Sequence, residues 1–167
     1  TKVIASYYML TAIITGLRRG EQLQLTWSDT EWLEKQIKGE EEGETHSLVK
    51  ITVRGETSKV GKTRVFVVRD LEYFSDLYTF QSARYFAAKK DGKTARTFGK
   101  TLIFSIDGIA PITPRVILYH FGVILDLCDV ESRDTRNLVP YSFRHYFITD
   151  MINKGASPTQ VAETCGT

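Results

Sequence analysis

One stretch of strict two-residue alternation, set in a chain otherwise paced like helices, restricts this sequence to few architectures. Val49, Ile51 and Val53 alternate with Lys50, Thr52 and Arg54. Side chains on a strand point to opposite faces in turn, so this period of two marks a half-buried strand. Residues 63–68 form a second apolar run, and the polar segment Glu56-Thr57-Ser58-Lys59-Val60-Gly61-Lys62 between them predicts a hairpin. Residues 26–33, with Trp27 and Trp32, read as a turn leading into another strand, and residues 102–104 as a short one.

Helical spacing governs the rest. Val3, Ile4, Tyr7, Leu10, Thr11 and Ile14 recur along the first segment, which Thr15-Gly16 ends; residues 18–25 begin a second, short helix. Residues 70–89 open on an acid and close on two lysines, as the helix dipole favours, and residues 91–100 read as a Gly- and Lys-rich loop. Residues 114–127 are strongly apolar, with Pro114 suited to a first turn. A polar connection over 132–138 leads to a helix over 141–153 that ends at Gly155, and Ser157 is placed to cap a last helix running into Cys165-Gly166. The expectation is one α+β domain, mainly helical, with a small antiparallel β-sheet inserted early.

Composition narrows the function classes. The 167 residues suit a single domain with a real core. No apolar run approaches the roughly 20 residues a membrane-spanning helix needs, and no signal-peptide pattern opens the chain. Cys128 and Cys165 form no paired motif, which fits a reducing cytoplasm. Net charge is only +2, yet Glu40, Glu41, Glu42 and Glu44 crowd one Gly-flanked segment that reads as a solvated loop; without those four the balance is 22 basic to 16 acidic residues. The remainder is basic enough to permit a phosphate partner. His46, His120 and His145 lack metal-ligand spacing and no paired acids suggest a two-metal site, so neither metal nor cofactor is expected.

Within 141–153 one residue is out of place. At about 100° per residue, Phe143, Phe147, Ile148, Met151 and Ile152 spread over one arc, with Arg144 near its middle and Tyr141 on the same side a turn earlier. A guanidinium on an apolar face is costly unless an anion meets it. That anion is either an internal carboxylate or an external phosphate, which Arg can hold with a planar fork. Arg18 follows a Thr-Gly turn and opens a short helix, with Glu21 three residues on, close enough to pair with it. Lys59 sits at the hairpin tip, where a lysine is ordinarily plain surface. His145 turns about 100° from Arg144 and reads as structural.

Taken together these segments resemble the tyrosine recombinase (phage integrase) family. Residues 12–29, with the run Thr15-Gly16-Leu17-Arg18-Arg19-Gly20-Glu21, look like its first signature box; Thr57-Ser58-Lys59-Val60-Gly61-Lys62 resembles its hairpin-lysine motif; residues 141–166 resemble its second box. The resemblance covers nearly the whole chain and implies the family's catalytic-domain fold. It implies catalytic roles for Arg18, Lys59 and Arg144, with Glu21, Tyr141, His145 and Thr167 as supporting or secondary phosphate contacts. Tyr141 stands where the family usually has His, and Cys165-Gly166-Thr167 where Leu-Gly-His is usual. None of the eight tyrosines matches the family's nucleophile position. The expected domain over 1–167 is therefore incomplete at its C-terminal end and inactive alone, with the N-terminal DNA-clamping domain outside it.

The activity so implied is site-specific DNA cleavage and rejoining through a 3′-phosphotyrosyl link, in a phage or mobile-element integrase of the bacterial cytoplasm. Its partners would be double-stranded attachment sites, on which it would self-associate as a tetramer, with no membrane and no cofactor. A catalytically inactive DNA-binding module on the same fold is the alternative, and a type IB topoisomerase shares the chemistry with a different box spacing.

Overall fold

A computed structural model describes residues 1–36, 45–93, 96–131 and 135–166. The acidic segment and Thr167 lie outside the described residues. Among the described residues, six α-helices and one small sheet follow in the order α1 (Lys2–Thr15), α2 (Arg19–Leu23), β1 (Thr30–Gln36), β2 (Thr45–Val53), β3 (Arg64–Arg69), α3 (Tyr73–Lys90), α4 (Pro114–Leu127), α5 (Ser142–Asn153) and α6 (Pro158–Cys165). The α+β expectation holds.

The alternating segment is the middle strand. β2 pairs antiparallel with β1 (Trp32 opposite Val49) and with β3 (Val53 opposite Arg64), in the order β1-β2-β3. Val49, Ile51 and Val53 are fully buried, so the sheet turns this face to the core. There they meet Ile4, Tyr8 and Met9 of α1 together with Phe74 and Leu77 of α3.

The first helix forms where the spacing predicts it, but of the recurring residues Ile4 and Thr11 are fully buried while Tyr7, Leu10 and Ile14 are partly buried. Ile4, Tyr8, Thr11 and Thr15 are inside, with Ala5, Met9 and Ala12, whereas Val3 is 42% exposed. α1 packs against α3, α4, α5 and β3. A helix enclosed on several sides is apolar nearly all round, so spacing alone does not select the buried stripe. Ile152 likewise leaves the apolar arc of α5 and is half exposed, while Phe143, Phe147, Ile148 and Met151 are partly buried.

Residues 102–104 do not form the predicted strand. Ile103 donates its N–H to the Leu25 carbonyl at 2.9 Å and Leu102 donates to that of Gly108 at 3.0 Å, so the segment folds on itself with only the isolated bridge Thr26–Leu102. Ile103 and Phe104 are nevertheless fully buried. The acid expected at the head of the 70–89 helix stands just before it: Asp70 accepts from the Phe74 and Ser75 N–H groups at 3.0 and 3.2 Å. Ser157 caps α6 as predicted, accepting from Gln160 N–H at 3.2 Å while the Gln160 side chain accepts from Ser157 N–H at 2.8 Å. Among the described residues no helix is long and apolar enough to cross a membrane.

Candidate phosphate cradle

Three elements distant in sequence converge where α1 ends. Gly16 terminates α1 in the left-handed region (φ 58°), and a Cβ there would fall 2.2 Å from Cδ1 of Phe147 on α5. Only glycine gives both the turn and the close approach. Just beyond that turn, Arg18 precedes α2. The buried Gln22 donates to the Tyr8 carbonyl at 2.7 Å, which pins α2 against α1 and fixes the direction in which Arg18 and Glu21 leave it.

Arg144 is 3% exposed. Its Nη1 donates to the Gly16 carbonyl at 2.5 Å and its Nη2 to the Cys165 carbonyl at 3.0 Å. The internal partner offered by the sequence reading was a carboxylate, and the structure supplies main-chain carbonyls instead. A carbonyl compensates part of the desolvation of a guanidinium and leaves its unit charge unneutralised.

Arg18 reaches the same place from the other side. Its Nη1 donates to the Gly166 carbonyl at 2.7 Å and the Cys165 carbonyl at 3.3 Å, and it lies 3.4 Å from Oε1 of Glu21. Glu21 also accepts the Arg18 main-chain N–H at 3.1 Å. Its main ion pair is with a residue that sequence reading missed. Arg64 donates Nη1 and Nη2 to the two oxygens of Glu21 at 3.0 and 2.8 Å, and Nε to the Thr164 carbonyl at 3.0 Å.

The last turn of α6 thus offers three successive carbonyls, of Thr164, Cys165 and Gly166, to three arginines. These are the groups a helix end leaves without intrahelical partners, and they carry the negative end of its dipole. Burial alone would push the Glu21 carboxyl up; hydrogen bonds from Arg64 and the Arg18 main chain, with both arginine charges, reverse this and hold it below the usual carboxylate range. The Cys165 thiol shows the opposite balance, pushed up by burial against the pull of Arg144, Arg64 and Arg18. Three guanidiniums therefore gather around the α6 terminus while Glu21 pairs with two of them, and the excess positive charge suits an anion receptor.

The other predicted residues fall around this cluster. Tyr141 and Arg144 both line a groove of about 670 Å³, along with Tyr8, Leu17, Arg19 and Arg115. Tyr141 is half exposed and meets the exposed His145 edge-on, with ring centroids 5.1 Å apart. Tyr8, deep in that groove, has its phenol pushed up to about 12 by burial, with Arg19 pulling the other way. Lys59 is exposed on the turn between β2 and β3, outside the hydrogen-bonded cluster. Among the described residues no group of three or more His, Cys, Asp or Glu could hold a metal ion.

The model of the phage integrase family matches residues 2–166. The chain belongs to that family. Two solved structures share the fold, both at 17% identity. One is the XerH site-specific recombinase bound to difH substrate in a pre-cleavage complex (TM-score 0.63, 99% of this chain and 40% of that one). The other is the same recombinase bound to palindromic difH in a post-cleavage complex (TM-score 0.61, 97% and 38%). This integrase-family chain therefore spans about two fifths of the XerH chain. No curated protein sequence matches it. With the family's catalytic-domain fold in place, Arg18, Glu21 and Arg144 gather at the end of α6, Tyr141 shares with Arg144 a groove that neither Arg18 nor Glu21 lines, Thr167 lies outside the described residues, and Lys59 stands apart on its loop.

Proposed function

We propose that this chain is the catalytic domain of a tyrosine-type site-specific recombinase, and that Arg18 and Arg144 grip the scissile phosphate of double-stranded DNA. The observation that carries this reading is the net-positive cluster at the end of α6, where Arg18, Arg64 and Arg144 bind its terminal carbonyls and Glu21, paired with Arg18 and Arg64, is the carboxylate among the described residues that meets them. Arg144, enclosed in protein yet paired only with carbonyls in its hydrogen bonds, keeps a charge that a phosphate oxygen satisfies. Both XerH structures hold a site-specific recombinase on its difH substrate, before and after cleavage, which favours a recombination site as the partner here.

The chemistry is a pair of transesterifications. A tyrosine hydroxyl attacks phosphorus and loses its proton, the bond to the 5′-oxygen breaks, and a 3′-phosphotyrosyl link remains with a free 5′-hydroxyl. Reversal by another strand's 5′-hydroxyl restores the phosphodiester, so no external energy source enters. As the nonbridging oxygens gain charge, Arg18 and Arg144, both held in advance by the Cys165 carbonyl at the α6 terminus, stabilise it without reorganising. Lys59 protonates the departing 5′-oxygen as its loop closes over DNA. Tyr141 and His145 at the rim, and Thr167, make secondary phosphate contacts. The element is a phage or mobile genetic element of a bacterial host, and the protomers act as a tetramer on DNA.

A nicked suicide duplex of the attachment site, incubated with the full-length protein, tests this. The expected product is a covalent protein–DNA adduct that Arg144→Ala abolishes while salt-sensitive binding persists. An intact protein that binds the duplex and forms no adduct is instead the inactive DNA-binding module.

A further inference from the structure

Arg64 has no part in the grip described above, yet its side chain makes three hydrogen bonds, as many as that of Arg18. Its side chain is 12% exposed and Glu21's is 2% exposed, and their bidentate pair is tighter than the 3.4 Å approach of Arg18 to the same carboxylate. A third hydrogen bond runs from Nε to the Thr164 carbonyl. The guanidinium also lies flush against Gly166, where a Cβ would fall 2.6 Å from Nη1 and 2.8 Å from Cζ, at a φ of +67°. All three nitrogens of the Arg64 head thus donate to protein, through three of its five N–H groups.

We propose that Arg64 is a positioning residue: it occupies Glu21 so that this carboxylate orients Arg18 without capturing its charge, and it ties the hairpin carrying Lys59 to the last turn of α6. The inference rests on the phosphate-cradle reading. Two geometrical facts support the division of labour. Glu21 holds Arg18 chiefly by the main-chain N–H, at 3.1 Å, and its side-chain approach at 3.4 Å involves Nη1 alone, which the Cys165 and Gly166 carbonyls also bind, so Nε and Nη2 are the donors left for an incoming anion. Arg64 stands at the first position of β3, opposite Val53 and five residues beyond Lys59, so its anchor sets where the lysine loop starts. Without Arg64 the buried Glu21 would turn to the next cation within reach, Arg18, and draw its head away from the phosphate.

Three variants separate this role from general support: Arg64→Gln, Arg64→Lys, and Arg64→Gln combined with Glu21→Gln. On the nicked suicide duplex, Arg64→Gln lowers the single-turnover cleavage rate of bound DNA by about tenfold to a hundredfold, the range seen when a group that orients a ligating side chain is removed. The duplex Kd stays within about twofold, because other backbone contacts carry most of the affinity. Arg64→Lys keeps the charge but loses the fork and stays slow. The double variant recovers rate over Arg64→Gln, since no carboxylate is left to capture Arg18. A purely structural Arg64 gives the opposite result: parallel losses of rate, affinity and Tm, deepened by the second substitution. Unchanged cleavage in folded Arg64→Gln also overturns the inference.

Should the wild type form no adduct at all, the recombinase reading fails, and phosphate binding decides the inference separately. Inorganic phosphate titrated into ¹⁵N-labelled protein shifts the Arg18 and Arg144 Nε–H resonances. In Arg64→Gln the Arg18 response is lost and the Arg144 response stays. An Arg18 response that is equal in both proteins, or absent from both, refutes the positioning role.

Discussion

Gly16 concentrates more of the fold than any other single position, and replacing it by alanine gives a quantitative test. Its φ of 58° lies in the left-handed region, which costs a residue with a Cβ about 1–2 kcal/mol. The new methyl would also sit 2.2, 2.8 and 2.9 Å from three ring atoms of Phe147, and forcing such overlap in a packed region costs about 1–3 kcal/mol more. Gly16→Ala should therefore destabilise by roughly 2–5 kcal/mol, a large part of the roughly 5–15 kcal/mol available to a typical domain. Gly92→Ala is the control: its φ of 68° is as unfavourable, but nothing lies within 4 Å of the added methyl, so only the backbone penalty of about 1–2 kcal/mol applies. Urea unfolding of both variants measures the difference. Adding Phe147→Ala to Gly16→Ala removes the obstruction, and the double variant should be more stable than additivity predicts by about 1–3 kcal/mol. Equal costs at Gly16 and Gly92, or strict additivity with Phe147→Ala, would refute the claim that ring contact dictates glycine here.

Other outcomes follow from exposure and ionisation. Lys59→Ala, at an exposed turn, should change stability by no more than about 0.5 kcal/mol, while cleavage of a suicide duplex falls by about a hundredfold or more if Lys59 is the general acid. Glu21 has its folded pKa depressed, so its contribution is complete above the ordinary value of 4.5 and is lost as pH falls through the lower folded value. Glu21→Gln should accordingly be less stable at neutral pH by roughly 3 kcal/mol and show a shallower loss below pH 4.5 in acid-unfolding curves. A thiol reagent at neutral pH should label exposed Cys128 in the folded protein and reach buried Cys165, whose thiol is pushed up by burial, only on unfolding; mass spectrometry of the adducts distinguishes them.

How far the site could be read from sequence depended on whether each residue broke a local rule. Arg144 did, since a cation in the apolar arc of a helix demands an explanation, and it is buried as that demand implies. Arg18 and Glu21 were visible through their spacing after a Thr-Gly turn. Lys59 breaks no rule and entered only through the family resemblance. Arg64 was missed for a physical reason: β3 carries Phe66 and Val68 on the Arg64 face and Val65 and Val67 on the other, so its alternation reads equally well either way. The choice between faces comes from α6 and α2, which meet Arg64 through Thr164 and Glu21 and lie 100 and 43 residues away in sequence. The full extent of the buried face of α1 and the folded-back loop at Leu102 escaped for the same cause, since each is settled by distant partners.

The anchor at the end of α6 is written in main chain, and this sets which changes it can absorb. Thr164 and Cys165 could exchange their side chains without removing a single acceptor, because the arginines bind their carbonyls. Length is another matter. One residue added or removed between Ser157 and Gly166 would turn the terminal carbonyls by about 100° and move them 1.5 Å along the axis, out of reach of all three guanidiniums at once. Among substitutions Gly166 is the exception, since a side chain there would meet the Arg64 head. The spacing between the Ser157 cap and Gly166 is therefore the quantity a designer of variants must preserve.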